Sequence, residues 1–235
     1  MITPVTYIVA IDGSTKLREH TSNISQLLES ALNCLMINDD LGFVMSTDVT
    51  QAVFPLIILR PQNQRTKKQE LLQELAAAQD ATARGRPTKP LLHALDLLRK
   101  RSKQDQWRPV CILLITDGRP DNEGLVQLSN LVEKVKAENA AHSSVGQIFL
   151  DAYIFNTHHP KRGFAEAIAA LSATSTFCAT SVIRVRSRID IVKGLWNFRD
   201  RVRQARDSIQ ASDVSASMAK RRAPGHVRIP SVFKK

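Results

Sequence analysis

The chain has 235 residues, 43% apolar and 5% aromatic, enough for one domain with an aliphatic core plus an appendage. No apolar run reaches the length of a membrane span, and the first residues lack the basic region and the small-residue cleavage site of a signal peptide. The three cysteines have no metal-type spacing, which favours reduced thiols. We therefore expect a cytoplasmic protein that does not act at a membrane.

Alternating apolar segments predict strands and helices in turn. The predicted strands cover residues 5–11, 41–47, 51–59, 110–115, 148–155 and 176–180. The predicted helices cover residues 24–35, 67–79, 90–98, 125–135, 164–171 and 189–206. The short polar break between the second and third strands predicts a hairpin, and so an antiparallel edge.

This order of elements predicts the fold class. Strands that alternate with helices require a mostly parallel α/β sheet, doubly wound, with helices on both faces and one antiparallel edge strand. Ligands of such sheets bind beyond the carboxyl ends of the strands. Asp12 and Asp117 follow two of the most apolar predicted strands, so we expect both carboxylates at that edge.

Three separated segments supply oxygen atoms to the same edge. They are the loop Asp12-Gly13-Ser14-Thr15-Lys16, the residue Thr88 before a predicted helix, and Thr116-Asp117-Gly118. Hydroxyl and carboxylate oxygens are the ligands that a hard cation such as Mg²⁺ prefers. The sequence therefore indicates a divalent-cation site.

The same three segments, in this order and at these element boundaries, resemble the von Willebrand factor A (vWA) family over about residues 5–202. The resemblance implies a vWA domain over residues 1–206 and a metal-ion-dependent adhesion site of the pattern Asp-x-Ser-x-Ser, Thr, Asp. Asp12, Ser14, Thr88 and Asp117 match that pattern as metal ligands for Mg²⁺ or Mn²⁺. In the family, a carboxylate from a partner protein completes the coordination of the ion.

Lys16 stands where the pattern has its second serine. An ammonium group has only donors and cannot ligate a cation, so Lys16 perturbs the metal site. Two arrangements are open. The ammonium group occupies the place of the ion and pairs with Asp12 and Asp117, or the side chain extends into solvent and water replaces the missing hydroxyl.

The resemblance implies a non-catalytic protein-interaction module of the intracellular bacterial type. Such proteins act beside a kinase, a phosphatase or an AAA+ ATPase in stress-response, signalling or defence systems. An enzyme is not predicted, because the sequence contains no phosphate-binding loop, no dinucleotide fingerprint and no nucleophile elbow.

The basic C-terminal segment supports an alternative function. The formal net charge is +11, and residues 184–235 contain fourteen Lys and Arg against four Asp and Glu. Residues 207–235 are predicted to form a disordered basic tail. In the alternative function this tail binds nucleic acid or an acidic partner, and the vWA scaffold is free of metal. The tail residues that would make these contacts are Lys220, Arg221, Arg222, Arg228, Lys234 and Lys235.

Overall fold

The computed structural model describes residues 4–46, 51–78, 88–99, 101, 108–118, 148–155, 162–171 and 177–222, and the helical positions 123, 126, 127 and 130. Its strands are β1 Thr6–Asp12, β2 Asp40–Ser46, β3 Gln51–Ile58, β4 Val110–Thr116, β5 Ile148–Ile154 and β6 Phe177–Arg184. Its helices are α1 Thr21–Leu32, α2 Gln64–Ala78, α3 Thr88–Arg99, α4 Arg162–Leu171 and α5 Arg188–Arg222, and a 3-10 helix covers Thr15–His20.

The six strands form one sheet in the order β3-β2-β1-β4-β5-β6. Strand β3 pairs antiparallel with β2, and every other neighbouring pair is parallel. The predicted fold class is therefore confirmed, including the antiparallel edge strand. Strand β1 lies in the middle of the sheet between β2 and β4, so the ends of these three strands lie side by side.

Two apolar cores cover the two faces of the sheet. In β1, alternate side chains point to opposite faces, as the period of two in a strand requires. Tyr7 and Val9 pack with α1, α2 and α5, whereas Ile8 and Ala10 pack with α3 and α4. Because both faces are covered, the central strands carry apolar residues on both faces rather than on alternate positions only.

Two predicted helices differ from the structure or fall outside it. The last helix was predicted to end at Arg206, but it continues to Arg222 because no Gly or Pro interrupts residues 207–222. The prediction of a disordered tail stays untested for residues 223–235, which lie outside the described residues. The helix predicted at 125–135 also falls largely outside them.

Charged side chains connect the elements at the amino edge of the sheet. The buried carboxylate of Asp39 accepts two hydrogen bonds from the guanidinium of Arg206 on α5, and backbone N–H groups of Val5 and Met36 donate to it at 2.9 and 2.8 Å. Beside it, Arg108 donates to both carboxylate oxygens of Asp40. These contacts hold α5 and the strand ends together on the side opposite the predicted site.

A second buried ion pair lies under α5. The Asp151 carboxylate, in the middle of β5, lies 2.9 Å from a guanidinium nitrogen of Arg201 and accepts a hydrogen bond of 2.8 Å from the Ser181 hydroxyl. Burial raises the pKa of Asp151 above its ordinary value, while Arg201 and Ser181 oppose that rise. The basic residues of α5 therefore include two, Arg201 and Arg206, that neutralise buried acids.

Replacing Arg201 with methionine should make stability fall more steeply with rising pH. A carboxyl group with a raised folded pKa contributes stability below its unfolded pKa of about 3.9, and this is lost as pH rises through the folded pKa. Without Arg201 that pKa rises further, so the fall in stability continues to higher pH and costs about 1.4 kcal/mol for each added pKa unit. Urea unfolding between pH 4 and 7 tests this, with the exposed Arg199→Met as control. Equal slopes for the Arg201 variant and wild type would contradict it.

Candidate functional site

The first part of the site is the loop that leaves β1. Asp12 is the last residue of the strand and is fully buried. The next residue, Gly13, donates its backbone N–H to the carbonyl of Ser46 at 3.0 Å, which holds the loop against the end of β2. The carbonyl of Ser14 then accepts from the N–H of Leu17 at 3.0 Å, and this bond starts the 3-10 helix.

The second part is the turn that follows β4. The hydroxyl of Thr116 donates to Asp12 Oδ2 at 2.9 Å and accepts the backbone N–H of Gly118 at 3.0 Å. Gly118 has a φ of +69°, a conformation that glycine adopts without a steric penalty. Thr116 therefore ties the Asp12 carboxylate to the turn that carries Asp117.

A direct side-chain contact joins the two loops. The hydroxyl of Ser14 donates to Asp117 Oδ2 at 2.8 Å, across 103 positions of sequence. Both side chains are buried, with 6% and 5% of their surfaces exposed. The structure thus brings together three of the four predicted ligands, Asp12, Ser14 and Asp117, at the carboxyl ends of β1 and β4.

The fourth predicted ligand, Thr88, opens α3. Arg101, just past the other end of that helix, donates to the Thr6 hydroxyl at the start of β1 at 3.0 Å, so α3 runs antiparallel to β1. The twelve residues of α3 span about 18 Å, and the strand from Thr6 to Asp12 spans about 20 Å. Thr88 therefore lies toward the carboxyl edge, where it is 1% exposed and its hydroxyl has no hydrogen-bond partner among the described residues.

The structure leaves the remaining predicted residues open. Lys16 lies in the 3-10 helix, but its side chain is outside the described part of the chain, so both proposed arrangements stay predictions. Lys220, Arg221 and Arg222 form the end of α5, without described side chains. Arg228, Lys234 and Lys235 lie outside the described residues.

The chemistry of the assembled side chains suits a hard cation. The edge presents two carboxylates together with the hydroxyls of Ser14, Thr88 and Thr116, and oxygen donors of this kind bind Mg²⁺ or Mn²⁺. Within the described residues, no group of three or more His, Cys, Asp or Glu side chains is placed to hold a metal ion. All the described donors at this edge are oxygen atoms, whereas His nitrogen and Cys sulfur predominate in a zinc centre.

The roles of two residues at this edge were not predicted from the sequence. Thr116 was singled out only as part of the Thr116-Asp117-Gly118 segment and not as a partner of Asp12, although its hydroxyl bridges Asp12 and Gly118. Ser46, at the end of β2, is the register partner of Asp12 and is 1% exposed. The role of Thr116 could have been predicted, because this residue directly precedes Asp117. The position of Ser46 depends on the pairing of β1 with β2, which no local motif reveals.

Comparison with solved structures identifies the fold. The chain is similar to a von Willebrand factor type A protein from Catenulispora acidiphila, with a TM-score of 0.61, 14% identity, and coverage of 86% of this chain and 43% of that one. It is also similar to a variant of the PilB minor pilin from Streptococcus sanguinis, with a TM-score of 0.58, 10% identity, and coverage of 87% of this chain and 62% of that one. The pilus adhesin SpaC from Lactobacillus rhamnosus GG has a TM-score of 0.54 and 11% identity, and the match covers 86% of this chain and 31% of that one. No protein-family model and no curated protein matches the sequence.

These likenesses define the class of the molecule by its architecture. The chain has the vWA fold, and the predicted resemblance is confirmed at that level. It spans less than two thirds of each of the three proteins, whose identities to it are all below 15%. None of the helices in the described part is long and apolar enough to cross a membrane.

Proposed function

We propose that this chain is a non-catalytic interaction module that captures an acidic residue of a partner protein at a divalent cation. Asp12, Ser14, Thr88 and Asp117 would hold the ion, Mg²⁺ or Mn²⁺. The observation that carries the proposal is the 2.8 Å hydrogen bond from Ser14 to Asp117, because it joins the two loops that the motif requires. One of the similar structures is named as a pilus adhesin, which agrees with a binding role.

The donor set explains how a partner would bind. Two carboxylates offset the charge of a divalent cation, while the hydroxyls of Ser14 and Thr88 add oxygen atoms without adding charge. When bound, the ion would act as a Lewis acid that accepts one more carboxylate. The residues of the chain hold Asp12 in place through Thr116, and Asp117 in place through Ser14.

The unpartnered hydroxyl of Thr88 supports the fit. A buried hydroxyl without a hydrogen bond costs about 1–3 kcal/mol, so buried polar groups normally have partners. Thr88 is 1% exposed and lacks one among the described residues. A bound cation would accept the lone pair of this hydroxyl and remove the cost.

We expect Asp12→Asn to weaken Mn²⁺ binding about a hundredfold or more, near 3 kcal/mol, because it removes one full negative charge from the site. Calorimetric titration of the folded protein measures this. The matched control is Asp200→Asn, which removes an exposed acid from α5 on the other face of the sheet. This variant should bind Mn²⁺ with the affinity of wild type. Binding to an acidic partner should be abolished by EDTA. Unchanged Mn²⁺ affinity of the Asp12 variant would refute the site.

The same titration on Lys16→Ser separates the two arrangements of Lys16. If the ammonium group replaces the ion, wild type does not bind metal and the serine variant does, which rules out cation-mediated capture. If the side chain lies in solvent, both bind and the serine variant binds more tightly. Absence of binding in both would reject the assignment of the motif.

On the resemblance alone, the proposed partner is a kinase, a phosphatase or an AAA+ ATPase in a bacterial stress-response, signalling or defence system, in the cytoplasm.

The described chain offers one observation for the alternative function, in which the basic C-terminal segment binds nucleic acid or an acidic partner. Helix α5 continues beyond Arg206, its contact with the amino edge of the sheet, and ends at Lys220, Arg221 and Arg222. Binding of nucleic acid there would weaken steeply with salt and would not respond to EDTA.

A further inference from the structure

A serine outside the family pattern lies beside the proposed cation site. Ser46 is the last residue of β2, where its backbone pairs with Asp12 and its carbonyl accepts the N–H of Gly13 at 3.0 Å. Neighbouring strands lie about 4.8 Å apart, so the two register partners are adjacent at the sheet edge. Ser46 is therefore next to the loop that carries two of the predicted ligands.

The side chain of Ser46 belongs to the same face as the site. Val44, two residues earlier, packs in the core under α3, as do Ala10 before Asp12 and Leu114 before Thr116. Because side chains alternate along a strand, Ser46, Asp12 and Thr116 share that face at the ends of three adjacent strands. The hydrogen bond between Thr116 and Asp12 confirms the shared face for that pair.

The Ser46 hydroxyl also lacks a hydrogen bond. It is buried, with 1% of the residue exposed, and has no partner among the described residues. The hydroxyl of Thr88, on the α3 side of this edge, is also buried without a hydrogen-bond partner among the described residues. A buried serine hydroxyl usually bonds to a nearby carbonyl, so two unsatisfied hydroxyls at one edge indicate an occupant that uses both.

We propose that Ser46 supplies an oxygen to the cation site and so takes the place of the serine that is missing at Lys16. The inference rests on the proposed function, since it assigns one more donor to the same ion. A serine from β2 would bring to the site a neutral oxygen of the kind that the second motif serine provides. The chain would then retain a hard-cation donor set although Lys16 contributes no oxygen.

The test is a titration of the Ser46→Ala variant with Mn²⁺. Binding is measured by calorimetry and by the electron paramagnetic resonance signal of free Mn²⁺. We expect affinity to fall about tenfold or more. The melting temperature of the metal-free variant should not fall, because no protein hydrogen bond is removed. The matched control is Ser181→Ala, which loses the bond to Asp151 far from the site and should bind Mn²⁺ as wild type does.

Lys16→Ser added to Ser46→Ala should restore much of the lost affinity, because a serine then stands at the motif position. If Ser46→Ala binds Mn²⁺ as wild type does while Asp12→Asn does not bind, the role of Ser46 is refuted and the proposed function stands. If the wild-type protein fails to bind Mn²⁺, the role of Ser46 and the proposed function are both refuted. A binding loss accompanied by unfolding of the metal-free Ser46 variant would assign Ser46 a structural role instead.

Discussion

Replacing Arg206 with methionine is expected to lower the free energy of unfolding by about 3–5 kcal/mol. The Arg206 guanidinium donates to both oxygens of Asp39, and both side chains are almost completely buried. Methionine retains much of the apolar packing of the arginine stem but leaves the buried Asp39 carboxyl group without its cation. Denaturant unfolding should show the loss directly, with a decrease in melting temperature on the order of 10 °C.

The same helix provides the control for this prediction. Arg203 lies 3.9 Å from Asp207, and their side chains are 82% and 66% exposed. An exposed pair of this kind contributes about 0–1 kcal/mol, so Arg203→Met should have little effect. A loss at Arg206 no greater than the loss at Arg203 would show that the buried pair does not hold α5 on the sheet.

Replacing Gly118 with alanine is expected to lower the free energy of unfolding by about 3 kcal/mol and to weaken Mn²⁺ binding at the proposed cation site. Two costs add. The φ of +69° is unfavourable for alanine by about 1–2 kcal/mol, and the new Cβ would lie 2.5 Å from Cγ2 of the buried Ile154, where overpacking costs about 1–3 kcal/mol. The turn would shift, together with the Gly118 N–H that donates to Thr116, and Thr116 positions Asp12. Thermal unfolding and Mn²⁺ titration measure the two effects.

Gly42→Ala is the matched control at a position without a positive φ. Its Cβ would lie 2.8 Å from Leu56 Cδ2, the mobile end of a half-buried side chain that can move away, so we expect a loss below about 1 kcal/mol. A double-mutant cycle with Ile154→Ala separates the two costs at Gly118, since removal of Cγ2 relieves only the clash. If Gly118→Ala is as stable as wild type, the turn does not require glycine.

Local signals in the sequence were sufficient for most of the fold. Continuous apolar runs identified β1 and β4, and helical spacing identified α1 and α3, because both faces of the sheet are covered and each helix buries one face. The antiparallel pairing of β2 and β3 followed from the short break between them. The end of α5 was missed, because its continuation past Arg206 depends on helix propensity rather than on an apolar face.

The positions of the acidic residues of the site were also predictable. Asp12 and Asp117 each follow a buried strand, and parallel strands end at one edge of the sheet, so their proximity follows from the order of elements. The two buried ion pairs were not predictable in this way. Arg206 lies 167 positions from Asp39, and nothing in the local pattern of either residue distinguishes a buried charge from a solvated one.

The sequence by itself therefore determined the α/β architecture, the edge at which a ligand would bind and the four residues that match a cation motif. Only the tertiary structure decided which further hydroxyls lie beside the carboxylates. Strand register places Thr116 and Ser46 next to Asp12, and register depends on the pairing of β1 with β2 and β4 across the sheet. Such pairings join residues that are distant in the chain, so the local pattern that predicts a strand carries no information about its partner.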